Sequence, residues 1–397
     1  MGMSMCMDER AKIAAVTTAT MPECLRVHYL EGFASTPSYT VKKATEIYHE
    51  DFVSHVNLMQ EGKPGPGPEG MAGIVLGFTK PVPNLRWDVQ EILHIKMPTG
   101  DKYVCVSTTS GTPFDAFLGV SPPSGRSFHF MAIDIHWVVD AKIKETWHLE
   151  ELRSAVKQLK GKTTKKEIPL FHHGQMGNFE KLMQREAGSQ IKGSELPQCV
   201  KDYYKAINHA EDFDMTEALA GSICDKAWEM HPNECPGLEG KPGPGCKVWA
   251  DSLDAFWKEQ FKWELRVALR VPCSRACEKY VVLSEVSGLT KGEFLGLALE
   301  EAKSFCIMGI DIHTVKRGKI IETWHIEDWA SATEQLQAGG STELHSGQPL
   351  NPDAGMQAPK KEEKEEAKKE EAEEKREEVK SEGEPLSVAP GSERGMI

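Results

Sequence analysis

The 397-residue sequence lacks the features that would place it in a membrane or on a nucleic acid. It contains no run of about 18 apolar residues, so we expect no segment that spans a bilayer. It also lacks an excess of basic residues: 47 Lys and Arg stand against 60 Asp and Glu, and the formal net charge is −13. Because nucleic-acid binders concentrate Lys and Arg to release counterions, we expect no nucleic-acid partner.

Two further absences concern metals and secretion. None of the ten cysteines forms a Cys-x-x-Cys pair, which argues against a zinc site. The first residues lack the long apolar stretch of a secretory signal, and Cys6 stands where a myristoylation signal requires Ser or Thr. We therefore expect a cytoplasmic protein with free thiols and no metal. Two sets of possible ligands remain open as alternatives: His172 with His173, and Cys235, Cys246, Cys273 and Cys277.

An internal repeat organises the chain. The motif Ile133-Asp-Ile-His136 recurs as Ile310-Asp-Ile-His313, and Glu145-Thr-Trp-His148 recurs as Glu322-Thr-Trp-His325. Both recurrences are 177 positions apart, and the Pro/Gly-rich segment 61–67 recurs 178 positions later. Several motifs in one order at one spacing predict that a single unit was duplicated.

Composition sets the boundaries of the predicted regions. We expect a first domain over residues 22–160 and a second over 196–337. The polar segment 161–195 between them is interpreted as a linker, with a short helix at 178–186. The tail 338–397 is rich in Glu and Lys, so we expect it to be disordered or a solvated helix.

Each unit is expected to begin with helices and to continue with strands. Amphipathic segments open the units at 24–48 and 197–220, and further helices are expected at 71–78 and 248–261. β-Branched and aromatic residues between turn signals then predict strands, which in the first unit are 86–94, 103–109, 128–139 and 143–148. Helices followed by a meander of strands indicate the α+β class, with helices packed on one curved sheet.

Strand alternation places an acid and an imidazole on one face of the third strand. Asp134 and His136 share that face with Phe128 and Phe130, and the second unit offers Asp311 and His313 in the same way. The opposite face carries apolar side chains, which favours packing of the two units sheet against sheet as an intramolecular pseudo-dimer. These side chains are Met131, Ile133, Ile135 and Trp137.

The pair formed by Asp134 and His136 has two interpretations. A buried carboxylate is costly unless it is paired or used, so the two groups could satisfy one another as a structural pair. Alternatively, burial raises the pKa of Asp134, which then acts as a general base while His136 orients it or donates to an enolate oxygen. Recurrence in the second unit fits both interpretations.

The order of the motifs resembles the SnoaL-like polyketide cyclase (ester cyclase) family, within the nuclear transport factor two-like superfamily. The residues that carry the resemblance in the first unit are His55, Pro83-Asn-Leu85, Gly111 to Gly119, Pro122-Pro-Ser-Gly-Arg126, Ile133-Asp134, Lys142-Ile143 and Glu145-Thr-Trp147. Those of the second unit are His231, Gly288 to Gly296, Ile310-Asp311 and Gly318 to Trp324.

The resemblance implies two tandem cone-shaped, half-open barrels, each with an apolar cavity and no cofactor. It implies that Asp134 acts as acid and base in ring closure, that His55 lines the same cavity, and that Asp311 and His313 have corresponding roles in the second unit. The remaining pocket residues that we expect are Phe128, Phe130, Glu145, Trp147, His231, Glu322 and Trp324.

The sequence also departs from the family pattern. Pro113 and Thr290 stand where the family usually has a polar His, and the second unit has lost the Pro-Pro-Ser-Gly turn. Two functions therefore remain: a cofactor-free cyclase, isomerase or lyase acting on an apolar carbonyl compound, or a non-catalytic module for small-molecule binding or protein assembly.

Overall fold

The computed structural model describes residues 21–32, 39–56, 67–121, 125–162, 187–208, 222–232, 243–244, 260–274 and 276–342. Several expectations lie outside these residues: the helix at 178–186, nearly all of the helix at 248–261, the Pro/Gly-rich segments up to 66 and 242, most of the Pro-Pro-Ser-Gly turn, His172 and His173, and the tail from 343.

Helices open the first half and pack on one face of its strands. The helices are α1 (Glu23–Val27), a π-helical turn (His28–Gly32), α2 (Val41–Ile47), α3 (Pro68–Thr79) and α4 (Leu152–Leu159). The strands are β1 (Tyr48–Val56), β2 (Arg86–Lys96), β3 (Asp101–Gly111), β4 (Phe128–Val139) and β5 (Lys142–Glu150). Pro68 begins α3, where a missing amide proton costs nothing.

The second half has a similar order of elements. After the short strand β6 (Gly188–Ile191) and a 3₁₀ turn (Gly193–Glu195) come α5 (Gln198–Asn208), β7 (Cys224–Pro232) and β8 (Gly243–Pro244). Long strands follow: β9 (Gln260–Ser274), β10 (Cys277–Phe294), β11 (Leu297–Lys316) and β12 (Lys319–Glu327), and then α6 (Trp329–Gln337). The Asp328 carboxylate caps α6 by accepting from the Ser331 amide at 3.0 Å.

All twelve of these strands belong to one mixed sheet in the order β1-β5-β4-β3-β2-β6-β9-β10-β11-β12-β7-β8. The pairs β1/β5, β2/β6 and β7/β12 are parallel, and the others are antiparallel. β6 lies in the segment interpreted as a linker, and it joins the strands of the two halves because it pairs with β2 and β9. The α+β class is confirmed, whereas two separate half-open barrels stay a prediction.

Three apolar clusters organise the packing. The first consists chiefly of the helices and strands of the first half, and the second contains those of the second half. The third contains only strand residues in its buried core, from β2–β5 and from β9–β12, so the faces turned away from the helices pack together. Burying one large aliphatic side chain contributes about 1.5–3 kcal/mol, and each of these 19 core residues is at most 7% exposed.

None of the helices in the described part of the chain is long and apolar enough to cross a membrane.

Candidate active site around Asp134

A tight hairpin and a β-bulge next to it set the register of the strands that carry the site. Asp140 and Ala141 connect β4 to β5, and both have positive φ, as the two central residues of a type I′ turn do. The antiparallel pairing that follows places Asp134 directly opposite His148 and His136 opposite Thr146. The turn alone would place Trp147 opposite Asp134, but an irregularity between Trp137 and Val138 shifts the pairing by one residue. Directly opposed side chains share one face, so the turn and this bulge together collect the four polar groups.

Asp134 is 1% exposed, and both of its carboxylate oxygens accept hydrogen bonds. His148 donates from Nδ1 to Oδ1 at 2.5 Å, and the Tyr29 hydroxyl donates to Oδ2 at 2.8 Å. The π-helical turn His28–Gly32 presents Tyr29 to the sheet. On its far side the His148 ring lies 3.3 Å from Glu150, measured from Nε2 to Oε2. Asp134 is thus the centre of a buried network rather than half of an isolated pair with His136.

The hydrogen bonds define the tautomer of His136. The Tyr29 hydroxyl has one proton, which it gives to Asp134, so at 2.8 Å it accepts from Nε2 of His136. Nδ1 of His136 then accepts from the Thr146 hydroxyl at 2.9 Å. The second half gives the same direction, because the Tyr204 hydroxyl donates to Asp311 and accepts from Nε2 of His313, which leaves Nδ1 of His313 to accept from Thr323.

The network fixes the charges of its members. Burial raises the pKa of Asp134, but the positive charge and hydrogen bond of His148 outweigh burial and bring that pKa below its usual value. Burial lowers the pKa of His148, but the carboxylates of Asp134 and Glu150 outweigh it and raise the pKa. The two residues are therefore a carboxylate and an imidazolium at neutral pH.

His136 and its neighbour His28 remain neutral. Burial, assisted by the positive charge of His148, lowers the pKa of His136 to about 4 although Asp134 acts in the opposite direction. Burial likewise lowers the pKa of His28, whose ring meets that of His136 edge to face at 5.1 Å between centroids. The expectation that burial leaves Asp134 with a raised pKa is wrong, because sequence analysis considered His136 as its partner and not His148.

The second half repeats this network. Asp311 accepts from His325 at 2.7 Å and from Tyr204 at 2.6 Å. His313 lies 3.2 Å from the Tyr204 hydroxyl and 3.0 Å from Thr323, and His325 lies 3.0 Å from Glu327. As in the first half, His325 outweighs burial and lowers the pKa of Asp311, while burial lowers the pKa of His313 to about 4.

An aromatic wall adjoins the first network. Phe128 and Phe130 lie on the helix-facing side of β4, as strand alternation predicts, and their rings stack at 5.4 Å between centroids. Phe117 stacks on Phe128 at 5.3 Å. The structure thus brings two of the expected pocket residues to the face that carries Asp134 and His136.

The other expected pocket residues lie on the opposite side of the sheet. His55 contacts Glu145 at 2.9 Å and stacks on Trp147, and Trp147 belongs to the third apolar cluster. The second half repeats this arrangement, and the residues concerned are His231, Glu322 and Trp324. The expectation that these six residues share a cavity with the aspartates is therefore wrong. Side chains alternate along β5 and β12, so Thr146 and His148 face Asp134, whereas Glu145 and Trp147 face away.

Sequence reasoning missed Tyr29, His148 and Glu150, with Tyr204, His325 and Glu327 in the second half. A signal for His148 was present, because the repeated Glu-Thr-Trp-His motif ends with it, but a bulge between Trp137 and Val138, in addition to the two-residue turn, is what brings it opposite Asp134. Tyr29 is 105 residues from Asp134 along the chain, so no local pattern links the two.

Metal-ligating side chains form a separate group. Among the described residues, Glu229, His231 and Glu322 bring one ligand atom each within 4.8 Å of one another. They lie on the face of β12 opposite Asp311.

The solved structures to which the chain is similar each match about a third of it. Solved structures similar to the chain include a candidate SnoaL-like polyketide cyclase from Jannaschia sp. CCS1, at 18% identity over 34% of this chain and 89% of that one, with a TM-score of 0.30. IdmH from Streptomyces antibioticus is 26% identical, and the match covers 36% of this chain and 99% of IdmH with a TM-score of 0.30. TsrD from Streptomyces laurentii is 23% identical, and the match covers 38% of this chain and 96% of TsrD with a TM-score of 0.28.

No curated protein matches the chain. A family match is found at the level of sequence, and it covers residues 32–159, which include β4, β5 and the whole Asp134 hairpin. This segment is similar to the SnoaL-like polyketide cyclase family.

Proposed function

We propose that the first half is a cofactor-free SnoaL-like domain that binds an apolar carbonyl compound and moves a proton on the carbon beside the carbonyl. The observation that carries the proposal is the network of Tyr29, Asp134, His136 and His148 beside an aromatic wall, in which all members but Tyr29 lie in the segment similar to polyketide cyclases. This reaction class would include cyclases, isomerases and lyases.

In the resting network both oxygens of Asp134 are occupied and its pKa is low, so Asp134 is a weak base. A substrate carbonyl that accepts the Tyr29 hydroxyl would release Oδ2. The freed oxygen can take the proton from carbon, and the carbon–hydrogen electron pair moves into the developing enolate. The Tyr29 hydroxyl then donates to the enolate oxygen, which places a hydrogen bond where negative charge develops.

His136 has a positioning role in this proposal. As a neutral ring that donates to the Tyr29 oxygen, it holds that hydroxyl on the line to Asp134. His148 stabilises the carboxylate until substrate binds. The ketosteroid isomerase site, in which a tyrosine donates to the enolate oxygen and an aspartate is the base, is the general chemical parallel.

Asp134→Asn tests this proposal, with Asp311→Asn as the matched control. The probe is 1-tetralone in D₂O, whose hydrogen–deuterium exchange beside the carbonyl is followed by NMR. Asp134→Asn should reduce the protein-catalysed exchange by about 10²–10⁴. Asp311→Asn should cost similar stability, about 1–3 kcal/mol from an unmatched buried donor, but reduce the exchange less, because the second half lacks the Pro-Pro-Ser-Gly turn. Equal exchange by Asp134→Asn and the unsubstituted protein contradicts the assignment.

The second candidate function is a non-catalytic binding or assembly module. It is supported by the closed hydrogen bonding of Asp134 and Asp311, which serves as a structural network without any substrate. If the unsubstituted protein does not accelerate the exchange and both Asn variants only lower stability, this function is favoured.

We further infer that the two halves are tandem copies joined as an intramolecular pseudo-dimer. The repeated motifs, the equivalent hydrogen-bond networks and the third apolar cluster with residues from both halves support this inference. Within it, the residues 22–160 and 196–337 are the two domains.

A further inference from the structure

A cluster of three metal-ligating side chains lies at the parallel pair β7/β12. Nε2 of His231 is 3.4 Å from Oε1 of Glu322 and 4.0 Å from Oε2 of Glu229. The pairing of β7 with β12 places Glu229 beside Glu322 and His231 beside Trp324. The cluster is distinct from the Asp311 network, whose members Thr323 and His325 point to the other side of β12.

Neighbouring residues hold two of the three ligands in place. The imidazole ring of His231 stacks on the Trp324 indole at 4.0 Å between centroids and 18° between planes, so its orientation is fixed. The Thr314 hydroxyl donates to Oε2 of Glu322 at 3.0 Å, which leaves Oε1 directed at His231. Glu229 is largely exposed, with 72% of its side chain accessible, and can adjust its rotamer. Hydrogen bonds of this kind to ligating carboxylates are typical of metal sites.

The charges around the cluster favour a cation. Lys279 lies in the same row of the sheet as Glu322, with Thr314 between the two. The Lys279 ammonium is itself bound to both oxygens of Glu91 at 2.6 and 2.7 Å. Glu91, Glu229 and Glu322 carry three negative charges, and Lys279 carries one positive charge.

The distances match those of a first coordination shell. A metal ion bound at about 2.0–2.1 Å by three ligands in tetrahedral geometry holds the ligand atoms about 3.3 Å apart. The contact between His231 and Glu322 is already at 3.4 Å, and only the exposed Glu229 must move inward. We propose that Glu229, His231 and Glu322 form a divalent metal site that takes Zn²⁺, with the fourth position left to water.

The first half provides a natural comparison. His55, Glu145 and Trp147 repeat His231, Glu322 and Trp324, but Val53 pairs with Glu145 where Glu229 pairs with Glu322. The first half therefore offers two ligands, and the inference predicts no metal there. No metal was expected from the sequence, because its cysteines form no Cys-x-x-Cys pair, whereas His231 and Glu322 lie about 90 residues apart and meet only through the pairing of β7 with β12.

Metal binding would tie β7 to β12. These strands meet as a parallel pair in the second half, and an ion that binds the folded but not the unfolded chain raises stability by mass action. The imidazole plus carboxylate ligand set suits Zn²⁺ better than Mg²⁺, which prefers oxygen ligands only.

Isothermal titration calorimetry of the metal-free full chain with Zn²⁺ tests the site, and Co²⁺ absorption reports the geometry. One Zn²⁺ per chain is expected, with a raised melting temperature and a tetrahedral Co²⁺ spectrum. Glu229→Gln and His231→Gln should each weaken binding by at least about 10–100-fold, whereas the matched variant His55→Gln should bind as the unsubstituted chain does.

Glu229→Gln changes an exposed side chain, so its fold can be verified by circular dichroism before titration. Absence of Zn²⁺ binding by the unsubstituted chain overturns the proposal. Binding that persists unchanged in Glu229→Gln and His231→Gln also overturns it, since the ion would then be held by other residues. A Val53→Glu variant should gain a second bound Zn²⁺ in the first half.

Discussion

At the scale of residues, the central feature is a carboxylate whose partners come from three elements. Asp134 on β4 is bound by His148 from the neighbouring strand and by Tyr29 from the helical layer. The two histidines of the network differ in charge because of their contacts: His148 lies between two carboxylates, whereas His136 lies between two hydroxyls. Neighbouring imidazoles in one buried cluster therefore have opposite protonation behaviour.

The shifted pKa values of the buried histidines predict that stability is highest near pH 6.5, which is the ordinary histidine pKa. Between pH 6.5 and about 4, His136 and His313 are protonated in the unfolded chain but stay neutral in the folded chain, so stability falls as pH decreases. Above pH 6.5, folded His148 retains a proton that the unfolded chain releases, so stability falls as pH rises. Each residue contributes on the order of 3 kcal/mol or less.

Urea unfolding at pH 4.5, 6.5 and 8.5 measures this profile. The groups that face His136 are His28, Tyr29, Asp134 and Thr146. His136→Gln removes one titrating ring and should make the decline on the acid side shallower. Stability that is constant or increases between pH 6.5 and 4.5 contradicts the assignment of neutral buried rings.

At the scale of elements, β6 is a strand within the segment that the sequence indicated as a linker. Its four residues pair with β2 on one side and β9 on the other, and Gln190 accepts a hydrogen bond from buried Lys102 at 2.9 Å. A strand this short has little periodicity, and its surroundings are polar. Only the edges of β2 and β9, brought close by packing of the two halves, make the segment a strand.

Gly188 in β6 gives a test of that junction. A Cβ atom at this position would lie 2.1 Å from the Arg270 carbonyl oxygen and 2.8 Å from the Val271 side chain. The carbonyl oxygen belongs to the backbone, so it cannot move aside as a flexible side chain would. Gly188→Ala should therefore lower the free energy of unfolding by about 1–3 kcal/mol, the usual cost of overpacking. Gly193→Ala is the control, because nothing lies within 4 Å of its added Cβ. Equal melting temperatures of the two variants contradict the packing of β6.

At the scale of the whole molecule, the two halves share the third apolar cluster. Its 19 core residues come from strands of both halves and contact each other through the faces that carry no helices. A half isolated from its partner would expose a contiguous apolar face, and large patches of this kind promote association. The cluster is reinforced at its edge by the ion pair of Lys279 with Glu91, one residue from each half.

A fragment of residues 1–190 should therefore self-associate, while the full chain remains monomeric, as the proposed pseudo-dimer requires. Multi-angle light scattering of both proteins at the same concentration measures the difference. Replacing Ile133, which is fully buried in the third cluster, with Asp should shift the fragment toward monomer. A monodisperse monomer of the unsubstituted fragment would refute the prediction.

The sequence by itself determined the α+β class, most strand boundaries of the first half and the two faces of β4. It could do so because these features depend on local patterns: a period of two along a strand, turn residues, and motifs repeated 177 positions apart. It also singled out Asp134 and His136, since acidic and imidazole groups among aromatic residues are conspicuous.

Only the tertiary structure decided which groups surround those residues. Tyr29 and His148 reach Asp134 through packing and register, which are set by contacts distant in sequence. The same register moved His55 and Glu145 to the opposite face and assembled Glu229 with Glu322. The pKa values followed from these neighbours, because burial and the groups within a few ångströms shift the pKa of a side chain away from the value that its own type sets.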